Sequence, residues 1–355
     1  MRRRTLICTI SIAAYALLLT LCAPAARMHM LMLRRIYATL GHMSARAPHT
    51  VAEPLALLMV ICASALALRA VYRAARRHST VPIMRFASGF MCFALISISA
   101  FSLIWPAYLP QDAAVQSAYS RAYDISQLEA LISALTERAS TDESARSIND
   151  YSQALSAEAR AQLPRRAAAA YSRAGMGDIA APKPARWPEW MSHLRAAGMF
   201  IPFTGETIYD PREPDCILPF TLLHELAHAS GVVHEDEANL LALRVGLSSG
   251  DAVLSRASAL SALRYALMTL RELDEARFEQ AYAQASHQTL HDLNALGMPV
   301  RGKNARLDAL TPDHALPASS NARDMFARRS GHGDYDGVIY LLLSQYGASL
   351  SALCE

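Results

Sequence analysis

Acidic residues are nearly missing from the first 110 residues of this 355-residue chain, which contain twelve arginines but only one acid, Glu53. That segment carries a net charge of +11, so the remaining residues carry −8 of the overall +3. The basic isoelectric point is therefore a property of this segment alone. No basic stripe with interleaved aromatic residues occurs elsewhere in the sequence, which argues against a nucleic-acid partner.

Cysteine is scarce as well, with six residues in the whole chain. Four of them lie in apolar N-terminal stretches, where cysteine behaves as a small apolar residue. Neither of the other two, Cys216 and Cys354, belongs to a Cys-x-x-Cys or Cys-x-x-His pair, which argues against a structural zinc ribbon. An oxidising compartment would allow Cys216 and Cys354 to pair, and the sequence leaves that pairing open.

Long apolar runs are present, and all three lie in the arginine-rich segment, at residues 5–26, 54–72 and 86–109. Each is close to the roughly 20 residues that a membrane-spanning helix needs. No acid lies within their cores, so a transporter or a channel is the least favoured function class. We predict a membrane anchor with three transmembrane helices over residues 1–110, embedded in the lipid bilayer, and a soluble domain over residues 111–355.

The arginines also predict how this anchor is oriented. Eight of them precede the first apolar run or surround the connection between the second and third, whereas four lie between the first and second. This bias favours a cytoplasmic N-terminus and an extracytoplasmic C-terminal domain. The first run also fits a cleaved signal peptide, which would leave the domain on the same side. Residues 28–43 fit either an amphipathic helix in the membrane interface or a plain loop.

Glycine is scarce and alanine abundant in the soluble part, where apolar residues recur at helical spacing over residues 125–138, 252–273 and 276–296. Residues 182–221 differ, because seven prolines there exclude long helices. Within that stretch, residues 199–209 are typical of extended chain with a turn. We therefore expect a short strand region inside a mainly helical domain.

The most informative motif follows that region: His224-Glu225-Leu226-Ala227-His228. Residues four apart share a face of a helix, so the imidazoles of His224 and His228 can bind one metal ion. Glu225 can then take a proton from a metal-bound water as the general base. Zinc with three protein ligands keeps a fourth position for that water.

Two residues compete as the third ligand, behind a glycine that can end the first helix. The pattern Glu235-x-x-Ala238-Asn239 resembles the second helix of glutamate-ligand zinc peptidases. The resemblance implies that the glutamate binds zinc and that Asn239 can hydrogen-bond a zinc-bound histidine. The alternative is His234, because His224 to His234 also matches the longer motif His-Glu-x-x-His-x-x-Gly-x-x-His. That motif should be accompanied by a methionine turn, for which the sequence offers no convincing context. We favour Glu235.

Several motifs occur in an order that resembles a known family: residues 182–184, 202–206, 218–221, 224–228 and 235–239, behind three apolar runs. The chain is similar to the bacterial membrane-anchored family catalogued as domain of unknown function 3810, from the first run to about Leu343. That family is regarded as zinc-peptidase-like through its own His-Glu-x-x-His. His234 stands where relatives are expected to have arginine, so the resemblance also favours Glu235.

Together these observations predict a mainly α fold: N-terminal transmembrane helices followed by an α-rich, zincin-like α+β domain with a short strand region before the metal-binding helix. An edge strand there would let a peptide substrate add by strand pairing. For the oxyanion of the tetrahedral intermediate the candidates are Tyr335, His332 and Tyr265, of which we favour Tyr335. Glu206 is expected to cap a turn or to meet a substrate amine. His291 and Asp292 are expected to be solvated.

The predicted function is a multi-pass zinc metallopeptidase of the bacterial cytoplasmic membrane, with one zinc ion, an extracytoplasmic site and a peptide or protein substrate. Two alternatives stay open. One is a catalytically inactive zincin-like protein that binds a partner while tethered to the membrane, and the other is a zinc hydrolase of a cell-envelope amide. The sequence leaves open the substrate specificity and the oligomeric state.

Overall fold

The computed structural model describes residues 22–107, 109, 124–140, 155–296, 338–339 and 341–344, together with residues 10, 13–15, 17 and 20. The chain divides into two units, Met1–Pro110 with Ile201–Glu206, and Gln111–Phe200 with Thr207–Glu355. Half of the first predicted span, residues 5–26, lies outside the described residues, as do His332, Tyr335 and Cys354. Pairing between Cys216 and Cys354 therefore stays a prediction.

The first unit contains three long helices, α1 (Ala23–Ala45), α2 (Ala52–Arg77) and α3 (Val81–Ile104). Both α2 and α3 are long and apolar enough to cross a membrane. Both helices start before the predicted spans, and Pro54 and Pro82 lie in their first turns, where the missing N–H of proline does no harm. In α2 an acid, Glu53, stands in the first turn and two arginines in the last, as the helix dipole favours.

Helix α1 covers the residues 28–43 that the sequence assigned either to an amphipathic helix or to a loop, and the structure has a helix there. Its buried side chains include His29, Leu33 and Tyr37. His29 Nε2 donates to the carbonyl of Leu103 at 2.8 Å, and the Tyr37 hydroxyl donates to the carbonyl of Ile104. These two hydrogen bonds attach α1 to the C-terminal end of α3.

The turn Ile201–Glu206 also belongs to the first unit. The carboxylate of Glu206 accepts from the backbone N–H of Val51 at 2.9 Å and of Ala52 at 2.7 Å, so it caps the start of α2. Glu206 is only 2% exposed. Of its two predicted roles, the structure therefore supports capping, and the burial leaves no access for a substrate amine.

Gly205 of the same turn, with φ +65°, lies against the backbone of α1, where a Cβ would come within 2.5 Å of Gly41 N.

The second unit is mainly helical, as predicted. Among its described residues, the helices with defined bounds are α4 (Ile125–Ser140), α5 (Ala157–Arg173), α6 (Glu189–Leu194), α7 (Leu218–Ala229), α8 (Glu235–Leu247), α9 (Ala252–Leu273), α10 (Glu275–Ala283) and α11 (His287–Ala295). Helix α9 packs against α4, α7, α8 and α10. The core of this unit is therefore built around α9.

A small sheet supplies the predicted strand region. It consists of β1 (Lys183–Pro184), β2 (Gly198–Ile201) and β3 (Glu206–Tyr209), in the order β1-β3-β2. Strands β1 and β3 pair in parallel, with Lys183 opposite Ile208 and Pro184 opposite Tyr209. Strand β2 is thus at an edge of this sheet, and residues 199–209 have the extended chain and turn that their composition predicts.

Close approach between helices holds the site-bearing elements in place. A Cβ on Gly246 of α8 would overlap the hydroxyl of Ser258 on α9 and come within 2.8 Å of Leu223 on α7. The Tyr171 hydroxyl of α5 donates to the carbonyl of Leu223 at 2.6 Å, and the Tyr171 side chain is fully buried. Helices α5, α8 and α9 all pack against α7.

Candidate metal centre

Helix α7 carries His224, Glu225 and His228, and every residue from Leu218 to Ala229 is buried. Pro219 lies in its first turn, which explains how a helix can begin at the end of the proline-rich stretch. The two histidines are one helical turn apart, so their rings lie on the same face, with centroids 4.8 Å apart. Ionisable groups on so buried a helix need partners, and each has them.

The end of α7 orients His228. Gly231 has φ +95°, the N–H of Gly231 donates to the carbonyl of His228 at 2.9 Å, and the N–H of Val232 donates to Ala227 at 3.1 Å. This pair of bonds is the Schellman turn, which needs a left-handed residue and therefore favours glycine. The turn brings the carbonyl of Val232 to 2.8 Å from His228 Nδ1. Since a carbonyl can only accept, Nδ1 is the protonated nitrogen and Nε2 faces the other way.

The start of α8 brings in the third residue. Glu235, Asp236 and Glu237 form its first turn, where carboxylates interact favourably with the helix dipole. Asn239 lies one turn after Glu235 on the same face, and its Oδ1 is 2.8 Å from His224 Nδ1. The hydrogen bond predicted for Asn239 is therefore present, and it leaves His224 Nε2 as the nitrogen that faces the cluster.

Three potential ligand atoms converge in front of these helices. His224 Nε2 is 3.1 Å from His228 Nε2 and 3.1 Å from Glu235 Oε2, and His228 Nε2 is 3.5 Å from the same Oε2. Among the described residues, these three are the group of histidine and acidic side chains arranged so that they could share one metal ion. Ligands of a tetrahedral zinc, with bonds of about 2.0–2.1 Å, lie about 3.3 Å apart, so the donor set fits that ion.

The electrostatics of the cluster favour positive charge at its centre. Burial lowers the pKa of His224, but the hydrogen bond and charge of Glu235, with help from Glu225 and Asn239, raise it to about 9. Burial raises the pKa of Glu235, but hydrogen bonds and charges from both imidazoles outweigh it and lower that pKa. Both shifts arise from the attraction between the imidazoles and the carboxylate, so the cluster favours positive charge beside Glu235.

Glu225 lies beside the cluster and against strand β2. Burial, as the largest influence, raises its pKa, although the two imidazoles and a backbone hydrogen bond from Phe200 lower it. The fit is close, since a Cβ on Gly198 would come within 2.5 Å of Glu225 Cγ and 2.8 Å of its Oε1. Glycine at position 198 is therefore what lets the edge strand approach the carboxylate.

We expect Gly198→Ala to displace the Glu225 carboxylate while leaving the three metal-facing side chains in place. A gap of 2.5 Å is well below van der Waals contact, so either the strand or the carboxylate must move. If the chain is a hydrolase, kcat should fall about tenfold or more, because small displacements of a catalytic group are costly. Metal content should stay at the wild-type value.

Gly89→Ala is the matched control, since a Cβ at Gly89 would meet open space. The two measurements are the hydrolysis rate and the metal content of the purified full chain. An unchanged rate for Gly198→Ala would show that this close approach has no role in the reaction.

The other predicted site residues have mixed outcomes. His234 is the residue preceding α8, and it is not one of the three residues of the cluster in the described part of the chain. Tyr265 lies on α9, where the guanidinium of Arg264 is 6.0 Å from its ring. The role of Tyr335 stays a prediction.

The expectation that Asp292 is solvated is wrong. The Asp292 carboxylate is buried and accepts a hydrogen bond from Arg256 of α9 at 2.7 Å, whereas the side chain of its neighbour His291 is 55% exposed.

The sequence patterns did not predict three groups that contact the site: Gly198, the backbone of Phe200 and the carbonyl of Val232. The Val232 carbonyl had a signal, since the glycine after the motif predicts a turn whose carbonyls point back at the helix. The sequence indicated the role of Gly198 only weakly, through a glycine at the start of an extended segment. Phe200 contributes through its main chain, which no side-chain pattern reveals.

Comparison with known proteins gives one match. A family model described as Protein of unknown function (DUF3810) matches residues 31–306, which include α2, α3 and the metal-facing cluster. No curated protein matches the chain. No solved structure matches it either.

Proposed function

We propose that this chain, which belongs to the family described as Protein of unknown function (DUF3810), is a membrane-anchored zinc-dependent peptidase. The observation that carries the proposal is the convergence of His224 Nε2, His228 Nε2 and Glu235 Oε2 within 3.5 Å of one another. Both imidazoles turn their acceptor nitrogens inward, because Asn239 and the Val232 carbonyl occupy the other nitrogens. Lone pairs that converge in this way need a positive charge between them, either a proton shared with Glu235 or a metal ion, and the proposal is that the metal ion supplies it.

His224, His228 and Glu235 would hold the ion, and the donor set of two imidazoles and one carboxylate is one that zinc uses in hydrolases. Zinc supplies a Lewis acid that polarises a carbonyl and makes water a nucleophile near neutral pH. Asn239 and the Val232 carbonyl keep both rings in the tautomer and orientation that such binding needs. This set of partners therefore prepares the site for the ion without rearrangement of the rings.

Glu225 is proposed to be the general base. Its carboxylate takes the proton of the attacking water and later gives it to the leaving amine. Burial raises its pKa above the ordinary value of a glutamate, which makes the carboxylate a better proton acceptor. The backbone hydrogen bond from Phe200 and the contact with Gly198 keep the carboxylate from turning away from the cluster.

Strand β2 supports a peptide as the substrate. It is at the edge of its sheet, and its residues Gly198 and Phe200 lie beside Glu225. A peptide can add to such an edge through main-chain hydrogen bonds, which hold an extended backbone in one register. Strand addition beside the base would place a peptide carbonyl near the metal-facing cluster, whatever the substrate side chains are.

We propose that α2 and α3 cross the bacterial cytoplasmic membrane, with the soluble domain on its extracytoplasmic side. Both acids of the first unit, Glu53 and Glu206, lie at the start of α2, and the arginines Arg69, Arg73 and Arg77 lie toward its end. Arginines favour the cytoplasmic side, so the end of α2 would face the cytoplasm. Since α3 returns in the opposite direction, the chain that follows it would lie outside.

The test is hydrolysis of a mixed-sequence peptide library by the purified full chain in detergent, followed by mass spectrometry. We expect cleavage that 1,10-phenanthroline removes and added zinc restores. Cleavage of a purified cell-envelope amide but of no peptide would reassign the substrate to that class. A folded, zinc-loaded chain that cleaves neither would contradict hydrolysis and favour a tethered binding protein.

A further inference from the structure

A groove runs between α2 and α3 within the first unit, with a volume of about 1010 Å³. Its walls are apolar along most of the length and include Met59, Leu66, Phe90 and Phe93. Each of these four side chains is about half exposed. If α2 and α3 cross a membrane, this surface lies in the hydrocarbon layer, where only an apolar occupant can fill it.

Four arginines line the same groove: Arg69, Arg73, Arg77 and Arg85. The three on α2 are spaced four apart, which places them on one face of the helix. Arg85 lies in the first turns of α3, directly across the connection from the end of α2. One end of an otherwise apolar groove therefore carries four guanidinium groups.

No carboxylate of this unit is close enough to neutralise these arginines. The acids of the unit are Glu53 and Glu206, and both lie at the start of α2, where Glu206 caps the helix. Glu53 precedes Arg69 by sixteen residues. At 1.5 Å per residue this is about 24 Å along the helix axis. The groove thus keeps strong positive charge at one end and apolar walls beyond it.

We propose that this groove binds an anionic phospholipid, with the phosphate among the four arginines and an acyl chain along the apolar walls. Guanidinium groups bind phosphate through paired, charge-assisted hydrogen bonds, which are strongest away from bulk water. Basic pockets between membrane helices on the cytoplasmic side are suited to anionic lipid headgroups. An acidic peptide would satisfy the arginines but would leave the apolar walls without an occupant. The inference rests on α2 and α3 crossing a membrane and does not depend on the hydrolase.

Arg76 supplies a matched control within the same helix end. It is not among the residues that line the groove, and its guanidinium lies 5.7 Å from the ring centroid of Tyr72. Arg34 and Arg35 of α1 are exposed and serve as two further controls. A triple variant of Arg34, Arg35 and Arg76 therefore removes as much charge as a triple variant of Arg69, Arg73 and Arg85, but leaves the groove unchanged.

The experiment is native mass spectrometry of the full chain released from detergent containing equal amounts of phosphatidylglycerol and phosphatidylcholine. We expect the wild type to retain phosphatidylglycerol, and Arg69→Gln/Arg73→Gln/Arg85→Gln to lose at least about tenfold in that retention. Arg34→Gln/Arg35→Gln/Arg76→Gln should stay within about twofold of wild type. Circular dichroism of both variants checks that the helices are intact.

Three outcomes would overturn the proposal. Equal losses in the two triple variants would mean that only overall charge attracts the lipid. Equal retention of both lipids by the wild type would mean that the arginines do not select a headgroup. Full displacement of phosphatidylglycerol by inorganic phosphate at the same concentration would assign the arginines to free phosphate and leave the acyl chain without a role.

Discussion

Glu225→Gln should reduce hydrolysis by about 100-fold to 10,000-fold, the range that general acid–base catalysis contributes. Glutamine keeps the size and the hydrogen-bonding oxygen of the side chain but cannot accept the proton of the attacking water. Because Glu225 lies beside the metal-facing atoms and is not one of them, zinc content should remain near one per chain. The measurements are initial rates on a peptide that the wild type cleaves, and elemental analysis of the same preparation.

Glu237→Gln is the control, since it makes the same chemical change in the first turn of α8, outside the metal-facing cluster. It should leave both the rate and the zinc content near wild type. Loss of zinc in Glu225→Gln would show instead that Glu225 is a ligand or is needed for the fold around the histidines. An unchanged rate would remove Glu225 from the mechanism.

Glu235→Ala should weaken zinc binding by more than 100-fold. It removes one of three atoms that lie within 3.5 Å of one another and leaves two imidazoles alone. The loss of a residue that only orients a ligand costs roughly 10-fold to 100-fold in metal affinity, and we expect Asn239→Ala to fall in that range. His234→Ala should change the affinity less than about twofold. Competition with a fluorescent zinc chelator measures all three constants.

The opposite ranking, with strong loss in His234→Ala and little in Glu235→Ala, would assign the third ligand to His234. The longer histidine motif would then describe the site, and α8 would have to begin differently from the helix seen here. Equal, small effects for all three variants would show that the ion is not held at this cluster.

The local pattern predicted much of the helical structure. Residues 252–273 were predicted as one helix, and α9 spans Ala252–Leu273, because its apolar repeat is long and Asp251 caps its start. The helical spacing over residues 276–296 is confirmed, but the structure has two helices there. The chain ends α10 at Ala283 and starts α11 at His287, where Ser286 accepts from the N–H of Thr289. A serine cap inside an apolar repeat is easily overlooked, since the repeat continues on both sides of it.

The residues of the candidate site show more clearly which contacts helical spacing cannot predict. Helical periodicity places His224 beside His228 and Glu235 beside Asn239, and the glycine turn between the two helices leaves the pairs close in the chain, so the sequence predicted them near one another. Gly198 and Glu225 lie 27 residues apart, and their contact depends on how β2 packs against α7. Arg256 and Asp292 meet between α9 and α11 for the same kind of reason, which is why Asp292 was wrongly expected to be solvated. Contacts of this kind arise from tertiary packing, which periodicity does not encode.

The most direct test of the central claim is elemental analysis of the purified wild-type full chain after dialysis against buffer with trace zinc. About one zinc per chain, removed by a strong chelator and recovered on addition of zinc, is the predicted result. A folded chain that holds no metal under these conditions would contradict the claim that His224, His228 and Glu235 form a metal centre, and with it the proposed peptidase.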